Sequence, residues 1–299
     1  MSAQERVIGV DLGGTKILAG IVDRDGTVER RREWPTPVDS QEALLAGVDE
    51  AVEDLVEEGI AALGFGIPSR VDQQSGRAFG SVNIPLHDLD FRDRMQDRFG
   101  LPVGLENDAN AAAFAEWRAG AGRGARTLVM LTLGTGVGAG FVLDGQFYRG
   151  WAEAGHMVVV HDGKPCQGSC TGRGHLESYC TGLAADEAAK EEFGPASDAH
   201  RLVRLANEGN ARARELLAGI GRILGSGIGS LVNLFDAERV VIGGGFGAAA
   251  FEHLVEPALE VARREALSPA DEALQVVKAE LASAGLIGAG LVAFEALEM

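Results

Sequence analysis

Two stretches of this chain share one pattern: an apolar strand, a glycine- and threonine-rich turn, then a second apolar strand. The first is VIGVDLGGTKILAGIVD, starting at Val7; the second is LVMLTLGTGVGAGFVLDG, starting at Leu128. Small residues in such turns let backbone N–H groups approach an anion closely, and threonine hydroxyls add donors. The first turn offers Gly13, Gly14, Thr15 and Lys16, with Asp11 at its mouth as a carboxylate suited to magnesium. The second offers Gly134, Thr135 and Gly136. The order Gly-Thr-Lys is not that of a Walker A loop, and neither turn is a clean G-x-G-x-x-G. Two readings stay open: ligand-free glycine-rich hairpins, or two jaws closing on one polyphosphate.

A chain of 299 residues, 46% of them apolar, has enough material for two cores. Its net charge of −17 argues against a nucleic-acid partner, since phosphate backbones need clustered Lys and Arg. The N-terminal MSAQERVIGV enters a strand without a signal-peptide core. No apolar run approaches the roughly 20 residues that cross a bilayer. Cys166, Cys170 and Cys180 are too few and too close for a disulfide framework. The expectation is a cytoplasmic protein with no membrane partner.

Hydrophobic periodicity organises the rest. Strands are expected at VIGVDLG, KILAGIVD and TVERRREW, then a helix over 41–58 and a buried strand AALGFGIP. DFRDRMQDRF and ANAAAFAEWRAG read as helices around the short strand LPVGLEN. Residues 151–180 are rich in Gly, His and Cys; helices dominate from about 183 to 233, and ERVVIGGG is a strand. This mixture predicts an α/β protein of two domains. One covers 1–110 plus a returning C-terminal helix at about 286–299; the other covers 111–285 with a loop at 156–177.

Four constellations carry chemistry. Leu105-Glu106-Asn107-Asp108-Ala109-Asn110 lies at a strand-to-helix junction, where Asn and Asp are favoured helix caps. Beside that capping reading stands a second: a carboxylate, Asp108, accepting a proton from a substrate hydroxyl while Asn107 orients that substrate. Glu153 and His156, in Glu153-Ala154-Gly155-His156, join Glu177 as planar acceptors suited to neighbouring hydroxyls, unless they are merely solvated surface. His156, Cys166, Cys170 and His175 have the ligand types and spacings of a closed structural zinc site, with His161 competing for the place of His156. Such an ion would brace the loop, leaving the second ring nitrogen of His156 for substrate. Gly243, Gly244 and Gly245 follow a strand, either as a tight connection or as a surface lying flat against adenosine.

Taken together, these residues resemble one family, the ROK sugar kinases, and within it the bacterial glucokinases. DLGGTK is similar to the family's first phosphate motif and LTLGTGVGAG to the second. LENDANAAAFAEW resembles its catalytic segment, EAGH its E-x-G-H sugar motif and VVIGGGFG its adenosine motif. The five occur in the family's order along nearly the whole chain. The resemblance implies an actin-like ATPase (ribonuclease H-like) fold, with a cleft between two α/β domains closing over ATP, magnesium and a hexose. It implies Asp108 as the base, with Asn107, Glu153, His156 and Glu177 on the sugar hydroxyls. Asp11 would lie near magnesium and Gly134 to Gly136 near the transferred phosphates.

Two departures stand out. The family's zinc segment, Cys-x-Cys-Gly-x-x-Gly-Cys-Leu-Glu, is here Cys166-Gln-Gly-Ser-Cys170-Thr-Gly-Arg-Gly-His175-Leu-Glu177, implying a Cys₂His₂ site. The family's Pro-Gly-Pro is replaced by Ile67-Pro68-Ser69-Arg70; Ser69, with Asn83, falls where such kinases approach the sugar. Other sugars (fructose, mannose, N-acetylglucosamine, N-acylmannosamine) are alternatives to glucose. Polyphosphate could replace ATP if Arg118, Arg123 and Arg126 line a basic track. Sugar-responsive repressors of this family carry a helix-turn-helix ahead of the DLGGT strand, where here Met1 to Arg6 stand. A homodimer is the expected assembly.

Overall fold

In the computed structural model, which describes residues 5–298 apart from Val82 and Ser169, both glycine-turn stretches are antiparallel hairpins. Each opens a five-stranded sheet of the same topology. The chain divides into two units: Met1–Arg123 with Arg149–Trp151 and Leu281–Met299, and Gly124–Tyr148 with Ala152–Glu280.

The first unit runs β1 (Arg6–Leu12), β2 (Lys16–Asp23), β3 (Val28–Pro35), α1 (Gln41–Glu53) and β4 (Ile60–Ile67). A small sheet follows, made of β5 (Val71–Asp72), β6 (Arg77–Gly80) and β7 (His87–Asp90), then α2 (Phe91–Phe99), β8 (Val103–Asn107) and α3 (Asp108–Ala119). Its main sheet has the order β3-β2-β1-β4-β8, with β1, β4 and β8 parallel. Ile8, Val10, Leu63 and Phe65 on one face pack with Leu44 and Val48 of α1 and Phe91 and Met95 of α2. Ser40 caps α1, its hydroxyl accepting from the Ala43 N–H at 3.1 Å.

The second unit runs β9 (Leu128–Leu133), β10 (Val137–Leu143), β11 (Gln146–Tyr148), α4 (Gly182–Phe193), α5 (Ala199–Asn207) and α6 (Ala211–Phe235). It continues through β12 (Arg239–Gly243), α7 (Gly245–Glu265), α8 (Ala270–Ala273) and β13 (Gln275–Lys278). Its sheet order, β11-β10-β9-β12-β13, repeats the first: three antiparallel strands, then two parallel neighbours. Val129, Leu131, Val240 and Ile242 pack with Leu217, Leu224 and Ile228 of α6 and Leu254 of α7.

The chain then returns to the first unit as α9 (Ala284–Ala296). Gly9, Gly64 and Gly104 stand side by side on β1, β4 and β8, on the face opposite the α1 and α2 core. A Cβ at any of them would collide with backbone of α9, at the carbonyls of Leu286, Ala289 and Val292 respectively. This glycine row lets a helix lie directly on the sheet.

Two expectations need correction. The division near residue 110 lies instead after Arg123, because α3 packs on α9, where Gly288 meets the backbone of Ala111. One helix, α6, does reach the length and apolar composition of a membrane span. Leu217, Leu224, Ile228 and Leu231 on it are buried in the core of the second unit, which accounts for its apolar character.

Candidate functional site

In open parallel sheets the carboxyl ends of the strands collect ligands, because the loops there carry free N–H groups and polar side chains. In the first unit β1 ends at Asp11, β4 leads to Ser69, and β8 leads to Asn107 and Asp108. The ladder pairs Asp11 with Gly66, and Gly66 and Ile67 with Glu106 and Asn107, which brings these ends side by side. The Gly13–Lys16 turn closes over the same edge, with the Gly13 N–H on the Lys16 carbonyl at 2.9 Å. Asn83 is exposed beside it, its Cβ 3.5 Å from where a Cβ on Gly14 would sit. Thr15 and Lys16 are exposed, and the Lys16 ammonium pairs with Glu33 at 3.1 Å.

The competing roles at the head of α3 separate cleanly. Asn107 is the cap: its Oδ1 accepts from the N–H groups of Ala109 at 2.9 Å and Asn110 at 3.1 Å. Its Nδ2 donates to the Ser69 carbonyl at 3.3 Å. Ser69 is buried, its hydroxyl accepting from the Gly80 N–H and donating to the Arg70 carbonyl. Within this unit Ser69 therefore supports Asn107. Asp108, first in the helix and partly buried, is released from the capping role, with Oδ1 on the Ala109 N–H at 2.9 Å.

Asp11 is the electrostatic partner of Asp108. Burial, then the negative charge of Asp108, pushes the Asp11 carboxyl up to about 7, against a lesser pull from Lys16. Two carboxylates placed this way favour a cation, and hard oxygen donors fit magnesium.

The second unit gathers its own group. Gly134 to Gly136 join β9 to β10, and the Gly182 N–H at the start of α4 donates to the Gly134 carbonyl at 2.9 Å. Gly243 pairs with Thr132 across β12 and β9, so α7 starts beside that turn. Gly244 has φ +78, and a Cβ there would strike the Leu133 backbone; Gly134 and Gly245 face open space. A bare turn and two helix N-termini thus meet at one strand edge, an arrangement that suits phosphate oxygens.

Glu177 links this turn to the Cys/His loop. One carboxylate oxygen lies 3.5 Å from the Val137 N–H, while the other accepts from the Cys166 thiol at 3.1 Å and lies 3.9 Å from His156 Nδ1. Glu153 is exposed and precedes the single turn Ala154–His156. That turn needs Gly155, since a Cβ there would overlap the Val137 carbonyl.

The ligand atoms of His156, Cys166, Cys170 and His175 all lie within 4.8 Å of one another. The two Nδ1 atoms are 3.2 Å apart, Cys166 Sγ is 3.7 Å from His156 Nδ1, and Cys170 Sγ is 3.7 Å from His175 Nδ1. A tetrahedral zinc ion implies about 3.3 Å between nitrogens and about 3.6 Å between nitrogen and sulfur, from its usual bond lengths. The donor set therefore fits zinc, with His156 rather than His161 as the fourth ligand. Burial and the Glu177 carboxylate push the Cys166 thiol up to about 12, so binding would release a proton. Cys180 is buried against the Ile220 carbonyl, apart from the cluster.

Sequence reasoning passed over Glu106 and Arg149. Glu106 is only 1% exposed, held by Asn107, Asn110 and Arg149. A charged residue directly after Val103, Gly104 and Leu105 in the strand VGLEN was the available signal.

A family model described as ROK family matches residues 7–296. The crystal structure of a ROK hexokinase from Thermus thermophilus superposes with a TM-score of 0.84 at 37% identity, covering 98% of this chain and 99% of that one. A ROK family glucokinase from Streptomyces griseus, solved with glucose and AMPPNP, gives 0.84 at 32% identity, covering 97% and 99%. A glucokinase from Streptomyces coelicolor is 35% identical over 80% of this chain and 81% of its own length. Xylose repressors also match, at 27–29% identity.

Proposed function

This chain belongs to the ROK family, and on that premise we propose that it transfers the γ-phosphoryl group of ATP to a hexose, most specifically to the 6-hydroxyl of glucose. The observation that carries this reading is the arrangement at the head of α3: Asn107 caps the helix, and Asp108, its first residue, is the carboxylate that acts on the charge of Asp11 beside the glycine turn. Asp108 takes the proton of the sugar hydroxyl as its oxygen attacks phosphorus in line. Glu153, His156, Glu177, Asn107 and Asn83 hold the remaining hydroxyls, and Ser69 keeps Asn107 in place. The Gly13–Lys16 and Gly134–Gly136 turns receive phosphate oxygens through N–H groups other than those of Gly13 and Gly134, which close the turns, while Gly243 to Gly245 lie against the adenosine. Magnesium at Asp11 would neutralise charge on the phosphates. Zinc on His156, Cys166, Cys170 and His175 would hold the loop, leaving His156 Nε2 for the sugar. The glucose-bound Streptomyces griseus relative supports both substrates. We further assign a homodimer as the working assembly.

The test is ADP release from ATP and magnesium across a panel of hexoses and N-acetylhexosamines. Release that needs sugar and peaks on glucose is the expected result. A peak on another sugar would move the specificity and keep the chemistry. Silence across the panel, with no sugar phosphate formed from inorganic polyphosphate either, would leave a non-catalytic sugar sensor.

A further inference from the structure

The Asn107–Asp108 turn does not stand alone. Behind it lies Glu106, whose Oε1 accepts two hydrogen bonds: from the Asn107 N–H at 2.9 Å and from Asn110 Nδ2 at 3.0 Å. Its Oε2 faces Arg149 Nη1 at 3.4 Å, and the other arm of the Arg149 guanidinium pairs with Glu295 on α9. Asn110 Nδ2 also donates to the Gly150 carbonyl at 3.4 Å. Both amide protons of Asn110 thus face acceptors, and its Oδ1 is left buried without a partner. A buried orphan oxygen is costly, and so is a carboxylate with 1% exposure. Apolar residues of similar size would fill the same space more stably.

The placement explains what such a network does. Residues 149–151 are a short stretch of the first unit inserted between β11 and the loop that carries Glu153 and His156. Trp151 reinforces that placement, meeting Phe79 edge-on at 5.8 Å and lying under the Arg70 guanidinium at 4.9 Å. Glu106 therefore ties three things together: the backbone of the turn bearing Asp108, the first turn of α3, and the segment leading to the Glu153 loop.

We infer that Glu106, held by Arg149, is the positioning residue for Asp108: it fixes the Asn107 backbone and thereby the direction of the base. This rests on the kinase reading above. Glu106 touches no reacting atom. Its amide analogue fails for a geometric reason. A glutamine must turn its NH₂ either toward the Arg149 guanidinium or toward the Asn107 and Asn110 donors, and each choice sets donor against donor.

The experiment compares wild type, Glu106→Gln, Arg149→Leu and the double variant for kcat, both KM values and thermal unfolding. Glu106→Gln should lower kcat about 10- to 100-fold, the scale of a sub-ångström to ångström misplacement of a catalytic group. The nucleotide KM should stay within about twofold. The double variant removes the clash with Arg149, so it should recover at least about fivefold over Glu106→Gln, a non-additive rescue. Loss of thermal stability with kcat per folded molecule unchanged would make Glu106 a structural residue and overturn the inference. So would a double variant no faster than the product of its singles. Parallel controls separate the failures: wild type without sugar-dependent turnover sinks the kinase assignment, full turnover in Asp108→Asn removes Asp108 as the base, and loss of turnover there beside an unimpaired Glu106→Gln sinks only this inference.

Discussion

Asp11 and Asp108 show how far single residues could be read from sequence. That Asp11 stands at the mouth of a glycine turn was legible, because strand and turn are neighbours in sequence. That Asn107 is the cap and Asp108 the first helical residue was not, since both residue types cap helices equally well. Only the hydrogen bonds of Asn107 to Ala109 and Asn110 decide it. The raised Asp11 carboxyl has a consequence for stability. Between its ordinary value near 3.8 and about 7 the folded chain holds a proton that the unfolded chain has lost. Stability from this group is therefore present at low pH and falls as pH rises through that window. In magnesium-free buffer, Asp11→Asn should flatten the pH dependence of the urea midpoint between about pH 4 and pH 7. Adding magnesium should stabilise wild type, and not the variant, near pH 7. Parallel curves for the two proteins would show that Asp11 ionises freely.

Among elements, the two hairpins and the long helices were readable because their signals are local: glycine turns, period-two apolar strands, capped amphipathic runs. The glycine row was not. Gly9, Gly64 and Gly104 are far apart in sequence and become neighbours only through the register of β1, β4 and β8. The same reason hides the contact of α3 with α9, which shifts the unit boundary to Arg123. The loop from His156 to Glu177 sits between these cases. Its Cys and His spacing announced a cluster, and the ligand atoms do converge, whereas the contacts of Glu177 with Cys166 and Val137 lie beyond pattern reading. Among the described residues between Pro165 and Arg173, the loop is held by an isolated backbone bridge and a few backbone hydrogen bonds, with none of them in either hydrophobic core. Stripping the metal with a strong chelator should therefore weaken glucose binding about tenfold or more, and ATP binding by much less. Equal glucose affinity in metal-free protein, measured by calorimetry, would contradict the bracing role.

For the whole molecule, one topology used twice accounts for the fold. Each unit has a hairpin followed by parallel strands, and each turns its strand ends into a polar edge. The edge of the first unit carries the carboxylates of Asp11 and Asp108, and that of the second the Gly134–Gly136 turn with the starts of α4 and α7. The family follows from motifs strung along nearly the whole chain. The choice of sugar does not, because no local pattern encodes where side chains such as Asn83 and Glu153 stand. The most direct measurement is glucose affinity and turnover together in Asp108→Asn. Asn107 keeps the helix capped, so the variant should fold and bind glucose within a few-fold of wild type. Its kcat should fall by about 10² to 10⁴, the range of a lost general base. Turnover near the wild-type rate would contradict the account, since Asp108 would then not be the base; loss of glucose binding along with rate would return Asp108 to a structural role.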